Sequence, residues 1–343
     1  ASTNWSASPY GLNTNWQSGV AVFGGATGTV AVSGTQNFQG LQFATNNYVL
    51  TGGALNMGGA TFVSVGVADA TINSALTGSG PLDKQGSGRL TLGGASTYTG
   101  GTTLSAGIIQ VTTATALGTG SLAMGAFTTL EAGASVALAN AISLTATTNI
   151  DTAANTLTLN GVISGAGATD LDKLGAGTLV LNGANTYAGV TNLNAGTISV
   201  GNAAALSTGA LNMATGTTLQ AGGTLTIANA VDLTGSTTVD TNGNDLTLSG
   251  IIGGASATDL NKIGAGILTL TSANTYAGVT NLNVGTINVG NAAALSGGAL
   301  NMATGTTLQA GGTFTVANAV DLTGSTTIDT NGNDLTLSGA LGG

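Results

Sequence analysis

The densest set of oxygen donors in the chain is Asp240-Thr-Asn-Gly-Asn-Asp245, written again from Asp329 to Asp334. Asp240, Asn242, Asn244, Asp245, Asp329 and Asp334 are the ligand types that calcium takes. The Gly243-Asn-Asp245 core partly resembles a calcium-binding nonapeptide repeat, which works in tandem, whereas here the motif occurs once per long period, and the corresponding earlier stretch reads Asp151-Thr-Ala-Ala-Asn-Thr156. An Asn-Gly turn between two strands is therefore the expectation, with no metal and no cofactor. Asp170 and Asp172, followed by Lys173, form the nearest thing to a paired acid with a base beside it. A polysaccharide-cleaving enzyme would want such carboxylates together with a cation to stabilise developing negative charge. Only Lys173 is near, and the matching places further on hold Asp259 and Asn261, so a solvated turn is expected. Tyr98, Tyr187 and Tyr276 could form an exposed row for stacking sugars, but one tyrosine at a fixed register reads better as a corner residue packed over a turn. Thr224, Thr226, Thr313 and Thr315 stand in the Thr-x-Thr pairs of flat ice-binding surfaces, yet strands favour threonine in general.

Composition removes several other chemistries. The 343 residues include no cysteine and no histidine, so disulfides, thiolate chemistry and imidazole acid–base work are excluded. Thirteen acids stand against Lys84, Arg89, Lys173 and Lys262, a net charge of -9. Nucleic acid needs many phosphate-neutralising cations, and an anionic membrane surface needs a basic patch; neither can be assembled. No apolar run approaches the roughly 20 residues that cross a bilayer as a helix. Fifty-eight glycines with two prolines, and no Gly-x-y period, read as turn punctuation.

The elements that would position these residues follow from a repeat. Lys84, Lys173 and Lys262 are spaced by 89 residues, as are the three tyrosines, and residues 173–254 laid over 262–343 match at 69 of 82 positions. Within a unit the pattern is apolar at every second position over three to five residues, as in Thr178–Leu181, Thr197–Val200 and Thr237–Asp240, with Gly and Asn at the breaks. Tandem copies with no linker between them need neighbours that stack, because stacking buries the face each copy cannot bury alone. The expected fold is all-β: a right-handed parallel β-helix of 89-residue tandem units, each about four rungs, with rungs of roughly 20 to 25 residues. The expected divisions are 1–83, an aromatic N-terminal cap and first rungs, then 84–172, 173–261 and an incomplete 262–343. Asn185, Asn192 and Asn194 are placed to hydrogen-bond along ladders of like positions.

The stretch from Lys173 to Ile198, KLGAGTLVLNGANTYAGVTNLNAGTI, resembles the autotransporter-associated beta-strand repeat, also called the passenger-associated transport repeat. Its pattern of a lysine, spaced glycines, Asn before Tyr and a later Gly recurs from Lys84 and Lys262, with Asn185 and Asn274 beside Tyr187 and Tyr276. The first copy has Ser96 where the others have Asn, and the third has Ser272 for Gly183. The segment from Asn15, NWQSGVAVFGGATGTVAVSG, resembles the stretch that precedes such repeats. The resemblance implies an extracellular passenger of a Gram-negative bacterium, carried outward by a C-terminal outer-membrane barrel. No run of about ten-residue amphipathic strands with aromatic girdles follows, so the chain is expected to be a passenger part without its barrel.

Eight of thirteen aromatics lie in the first 62 residues, among them Trp5 and Trp16, as expected of a cap on a solenoid end. The last unit stops at Leu341-Gly-Gly343. Trp5, Trp16, Leu335, Leu337 and Leu341 are accordingly the candidates for head-to-tail contact between copies, which would generate filaments. The expected role is a secreted, non-enzymatic surface protein, a spacer, adhesin or fibre subunit, with itself and host or matrix glycans as partners. A polysaccharide-binding or polysaccharide-cleaving β-helix is the alternative.

Overall fold

The computed structural model describes residues 19–66, 69–167, 169–254 and 258–343. All regular elements among them are β-strands, two to ten residues long, and all paired neighbours run parallel. Parallel pairing with nineteen to twenty-three residues between partners, as in Thr178↔Thr197 and Thr237↔Leu260, means that each circuit of the chain lands on the previous one. This is a β-solenoid. The chain divides between Thr169 and Asp170 into two compact units.

In the first unit one face stacks from Val20–Phe23 through Gly40–Phe43 and Thr61–Val65 to Ile163–Gly165. A second runs from Thr29–Asn37 and Tyr48–Met57 to Thr148–Asp151, and a third pairs Val136–Leu138 with Thr156–Leu159. The first coils are filled by aromatics: Phe23 stacks on Phe43 at 4.6 Å between centroids, and Tyr48 packs at 5.6 Å from Phe23 while its hydroxyl donates to Gly24 O and Ala26 O. Trp5, Tyr10 and Trp16 lie outside the described residues.

In the second unit the first face holds Leu171–Leu174, Thr191–Leu193, Leu211–Met213, Val231–Leu233 and Ile252–Gly254. The second runs from Thr178–Leu181 to Leu341–Gly342, and the third from Leu225–Ile227 to Thr327–Asp329. Strands alternate inside and outside, so Leu179, Leu181, Ile198, Val200 and Leu219 are all fully buried. Removing each such side chain from water contributes about 1.5–3 kcal/mol.

The 89-residue repeat is not a whole number of coils. Leu171, Thr191, Leu211, Val231 and Ile252 are successive partners on the first face, so four coils use 81 residues. The remaining eight carry the chain around the next corner, and Leu260, the equivalent of Leu171, stands on the second face, paired to Thr237 and Thr280. Each repeat is thus four rungs and a fraction, in line with the expected four or so. The reason is the shortness of the coil, about twenty residues, against a period that does not divide by it. Equivalent residues of successive repeats therefore face different ways.

Candidate functional site

The residues that could do chemistry fall into an inward set and an outward set. Inward stand the lysines. Lys84, Lys173 and Lys262 occupy strand positions that face the interior, and each is fully buried. Lys173 Nζ donates to Leu174 O, Gly175 O and Ala195 O at 2.9, 2.7 and 3.0 Å. Lys84 does the same to Gln85 O, Gly86 O and Ala106 O, and Lys262 to Ile263 O, Gly264 O and Val284 O, adding Thr241 Oγ1 at 3.1 Å. Gly86, Gly175 and Gly264 have φ of 77°, 76° and 80°, a left-handed turn that brings the glycine carbonyl back over the ammonium. The lysine so closes a corner of the solenoid by donating to the main-chain carbonyls gathered there. Burial pushes Lys84 and Lys262 down to about 8, against the opposing pull of Asp83 and Asp240. The signal for this role was legible as Lys-x-Gly, repeated three times, but a charged side chain reads as surface until three carbonyls are seen around it.

The tyrosines are buried as well. Tyr98, Tyr187 and Tyr276 are at most 1% exposed, and their hydroxyls pair at 2.5 Å with Thr102, Thr191 and Thr280, four residues on. Burial raises all three to about 12. No exposed sugar-stacking row exists at these positions. Asn185 and Asn274 lie beside them, buried, with Nδ2 donating to Ala205 O and Ala294 O at 2.6 Å. Asn185 thus donates to main chain one coil on.

Sequence reading missed a third inward residue. Asn140, Asn229 and Asn318, again 89 apart, are buried, and each Nδ2 faces three carbonyls of an irregular corner: Leu206 O, Ser207 O and Gly209 O for Asn229, at 3.3, 3.1 and 2.6 Å. Its position in Ala-Asn-Ala gave no sign of this work.

Outward stand the acids and amides. Asp170 Oδ1 accepts Val190 N at 3.0 Å, and Asp172 Oδ1 accepts Asn192 Nδ2 at 2.6 Å. Asn212 Nδ2 continues the row onto Asn192 Oδ1 at 2.7 Å, and the next repeat builds the same ladder from Asn261, Asn281 and Asn301 on the adjoining face. The two aspartates do not converge on Lys173, whose ammonium points into the core. In the 240–245 loop Asp240 Oδ1 accepts Asn242 N at 2.8 Å and its Oδ2 accepts Gln220 Nε2, while Asp245 Oδ1 accepts Ile267 N. Asn242 and Gly243 take φ of 48° and 78°, the two-residue turn that Asn-Gly favours. The 329–334 loop repeats this, with Gln309 and Asn331 holding Asp329 below the ordinary carboxylate value. Among the described residues no three acids gather as a metal site would require.

These inward motifs coincide with a known pattern. The model of the passenger-associated transport repeat matches residues 82–111, 171–200 and 260–289, segments that hold the three lysines and the three tyrosines. The chain carries three passenger-associated transport repeats. Such repeats belong to exported Gram-negative proteins, and the chain is accordingly extracellular or at the cell surface. It is also similar to the adhesin BmaC autotransporter of Brucella suis biovar 1 (strain 1330), 38% identical over 173 residues, which is 46% of this chain and 5% of that protein. The chain thus spans a small part of the length of the curated relative it matches. No solved structure matches.

Proposed function

We propose that the chain is a non-catalytic, load-carrying segment of a surface adhesin, in which each 89-residue repeat adds coils of solenoid and holds contact surfaces away from the cell. One observation carries this reading. The residues of the repeat with chemical potential, lysine, tyrosine and the paired asparagines, are spent on main-chain carbonyls and core hydroxyls, and their interior placement serves stability. The outer faces offer asparagine ladders flanked by aspartates, and threonine columns such as Thr178, Thr197, Thr218 and Thr238. The adhesin similarity supports a contact role, for which host cells or matrix, glycans included, are the proposed surfaces. Adhesion of the purified chain to epithelial monolayers and to immobilised matrix tests the proposal; a chain that binds neither overturns the contact role.

A second reading is end-to-end stacking. Ile328 and Leu341 are 39% and 63% exposed, whereas Val239 and Ile252, one repeat earlier, are at most 1% exposed. Leu335 and Leu337 in the same coils are half-buried. A further parallel coil, from the same polypeptide or from another copy, would bury these groups and pair their strand edge. Sedimentation across concentration distinguishes the two sources: a second copy gives concentration-dependent growth.

A further inference from the structure

The first unit carries a groove whose own lining is uncharged. By register, the outward column of its first face runs Val20, Gly40, Phe62, Asp83, Thr103. Gly40 leaves a gap in this column, and the Phe62 ring lies over it, since a Cβ on Gly40 would overlap that ring. Val20 and Val22 on the same face are 48% and 51% exposed. Around the adjoining corner opens a groove of about 660 Å³, lined among others by Val20, Asn37, Gln39, Asn56, Thr61 and Phe62. Its backbone is fixed by Phe38 N donating to Asn56 O and Phe62 N donating to Gln39 O, at 3.2 and 3.1 Å. Asn56 Nδ2 donates to Asn37 Oδ1 at 2.7 Å, which orients both carboxamides along one wall.

We propose that this groove binds a neutral saccharide, one ring stacking its C–H face on Phe62 while its hydroxyls exchange hydrogen bonds with the carboxamides of Asn37, Gln39 and Asn56. The proposal rests on the surface-contact reading above and gives it a place and a ligand class. A carboxamide both donates and accepts, as a sugar hydroxyl does, so amides match hydroxyls without a charge to desolvate. No lining residue is ionisable, which disfavours a phosphate, a sulfated glycan or a peptide recognised by charge. The volume lies in the range of about 300–1,000 Å³ common to small-molecule sites. Phe62 supplies an apolar platform that the outward positions Asp83 and Thr103 of the same column do not.

The test is an array of neutral and acidic oligosaccharides probed with the full chain, followed by calorimetry on whatever neutral sugar is retained. Phe62→Ala and Asn56→Ala should each weaken binding about tenfold or more, a loss of about 1.4 kcal/mol. Phe62→Trp should keep it, and Phe127→Ala, at an exposed aromatic elsewhere in the unit, should leave it unchanged. Affinity should not fall between low and high salt. Retention of acidic sugars alone, or of none, overturns the proposal. So does unchanged affinity in Phe62→Leu, which keeps the apolar bulk and is read should Phe62→Ala lose its strand signature in circular dichroism. Cell adhesion that survives Phe62→Leu removes the groove while leaving the surface-contact reading intact.

Discussion

A lysine in the interior of a solenoid is costly unless its ammonium is fully hydrogen-bonded, and the corner geometry shows how the cost is met. Removing Lys262 would leave the carbonyls of Gly264 and Val284 without the ammonium that donates to them, while Ile263 O keeps Thr241 N. Lys262→Met, which fills the space but donates nothing, is expected to lower stability by about 3 kcal/mol in denaturant titration. The same burial fixes a pH response. Folded Lys84 and Lys262 lose their proton near 8 while the unfolded chain keeps it to 10.5, so the unfolded state binds more protons in that window. Stability should therefore rise with pH across it. The tyrosines oppose this higher up: unfolded they ionise near 10.0, folded near 12, so stability falls through that interval. A denaturation midpoint that climbs to about pH 10 and then drops is the expected profile; one that falls steadily from pH 8 would contradict the buried ammoniums. Phe127 is the opposite case, a residue in the wrong place for its type. It is 80% exposed at φ 55°, where the other repeats have Gly216 and Gly305 at 76° and 80°. Phe127→Gly relieves a left-handed strain of about 1–2 kcal/mol at a smaller entropic cost, so it should raise the midpoint slightly, without lowering it.

At the scale of elements, alternation made the strands legible, since threonine, leucine and valine at every second place can bury one face only as strands. The corners were less legible, because what holds them is main chain. The turn at Asn242-Gly243 announced itself by its dipeptide, while the corner at Ala205-Leu206 depends on Asn229, more than twenty residues away in sequence but one coil away in space. Distances of that kind cannot be read before the coil length is known. The brace makes a prediction of its own. Asn229→Ala orphans Leu206 O, Ser207 O and Gly209 O and should cost about 1–3 kcal/mol. Asn229→Asp should cost more, because a carboxylate offers no donor and sets its charge against three carbonyls. Equal stability of the two variants in urea titration would show that the side chain merely fills space.

At the scale of the whole molecule, the mismatch between an 89-residue period and a coil of about twenty residues separates what the repeat does inside from what it shows outside. Inside, any face serves equally, because each offers the same interior to a lysine or a tyrosine. Outside, the asparagine ladder of 172–212 and that of 261–301 stand on different faces, so a partner along one face meets a short row and then other chemistry. Repetition of this kind favours length and durability over a continuous binding row. Durability has a direct measure. Trypsin needs an extended, accessible segment around Lys or Arg, and Lys84, Lys173 and Lys262 are fully buried while Arg89 lies in a strand, paired with Glu131 at 3.0 Å and Asp69 at 3.4 Å. Cleavage at the lysines requires opening of the coil that holds each one. The native chain should resist trypsin for as long as it stays folded, and the rate of cutting should follow the unfolding equilibrium as urea is added. Lys262→Met removes one site yet loosens its corner, so that variant should be cut faster at Lys173 than the parent chain; slower or equal cutting would mean that the corners open independently of one another.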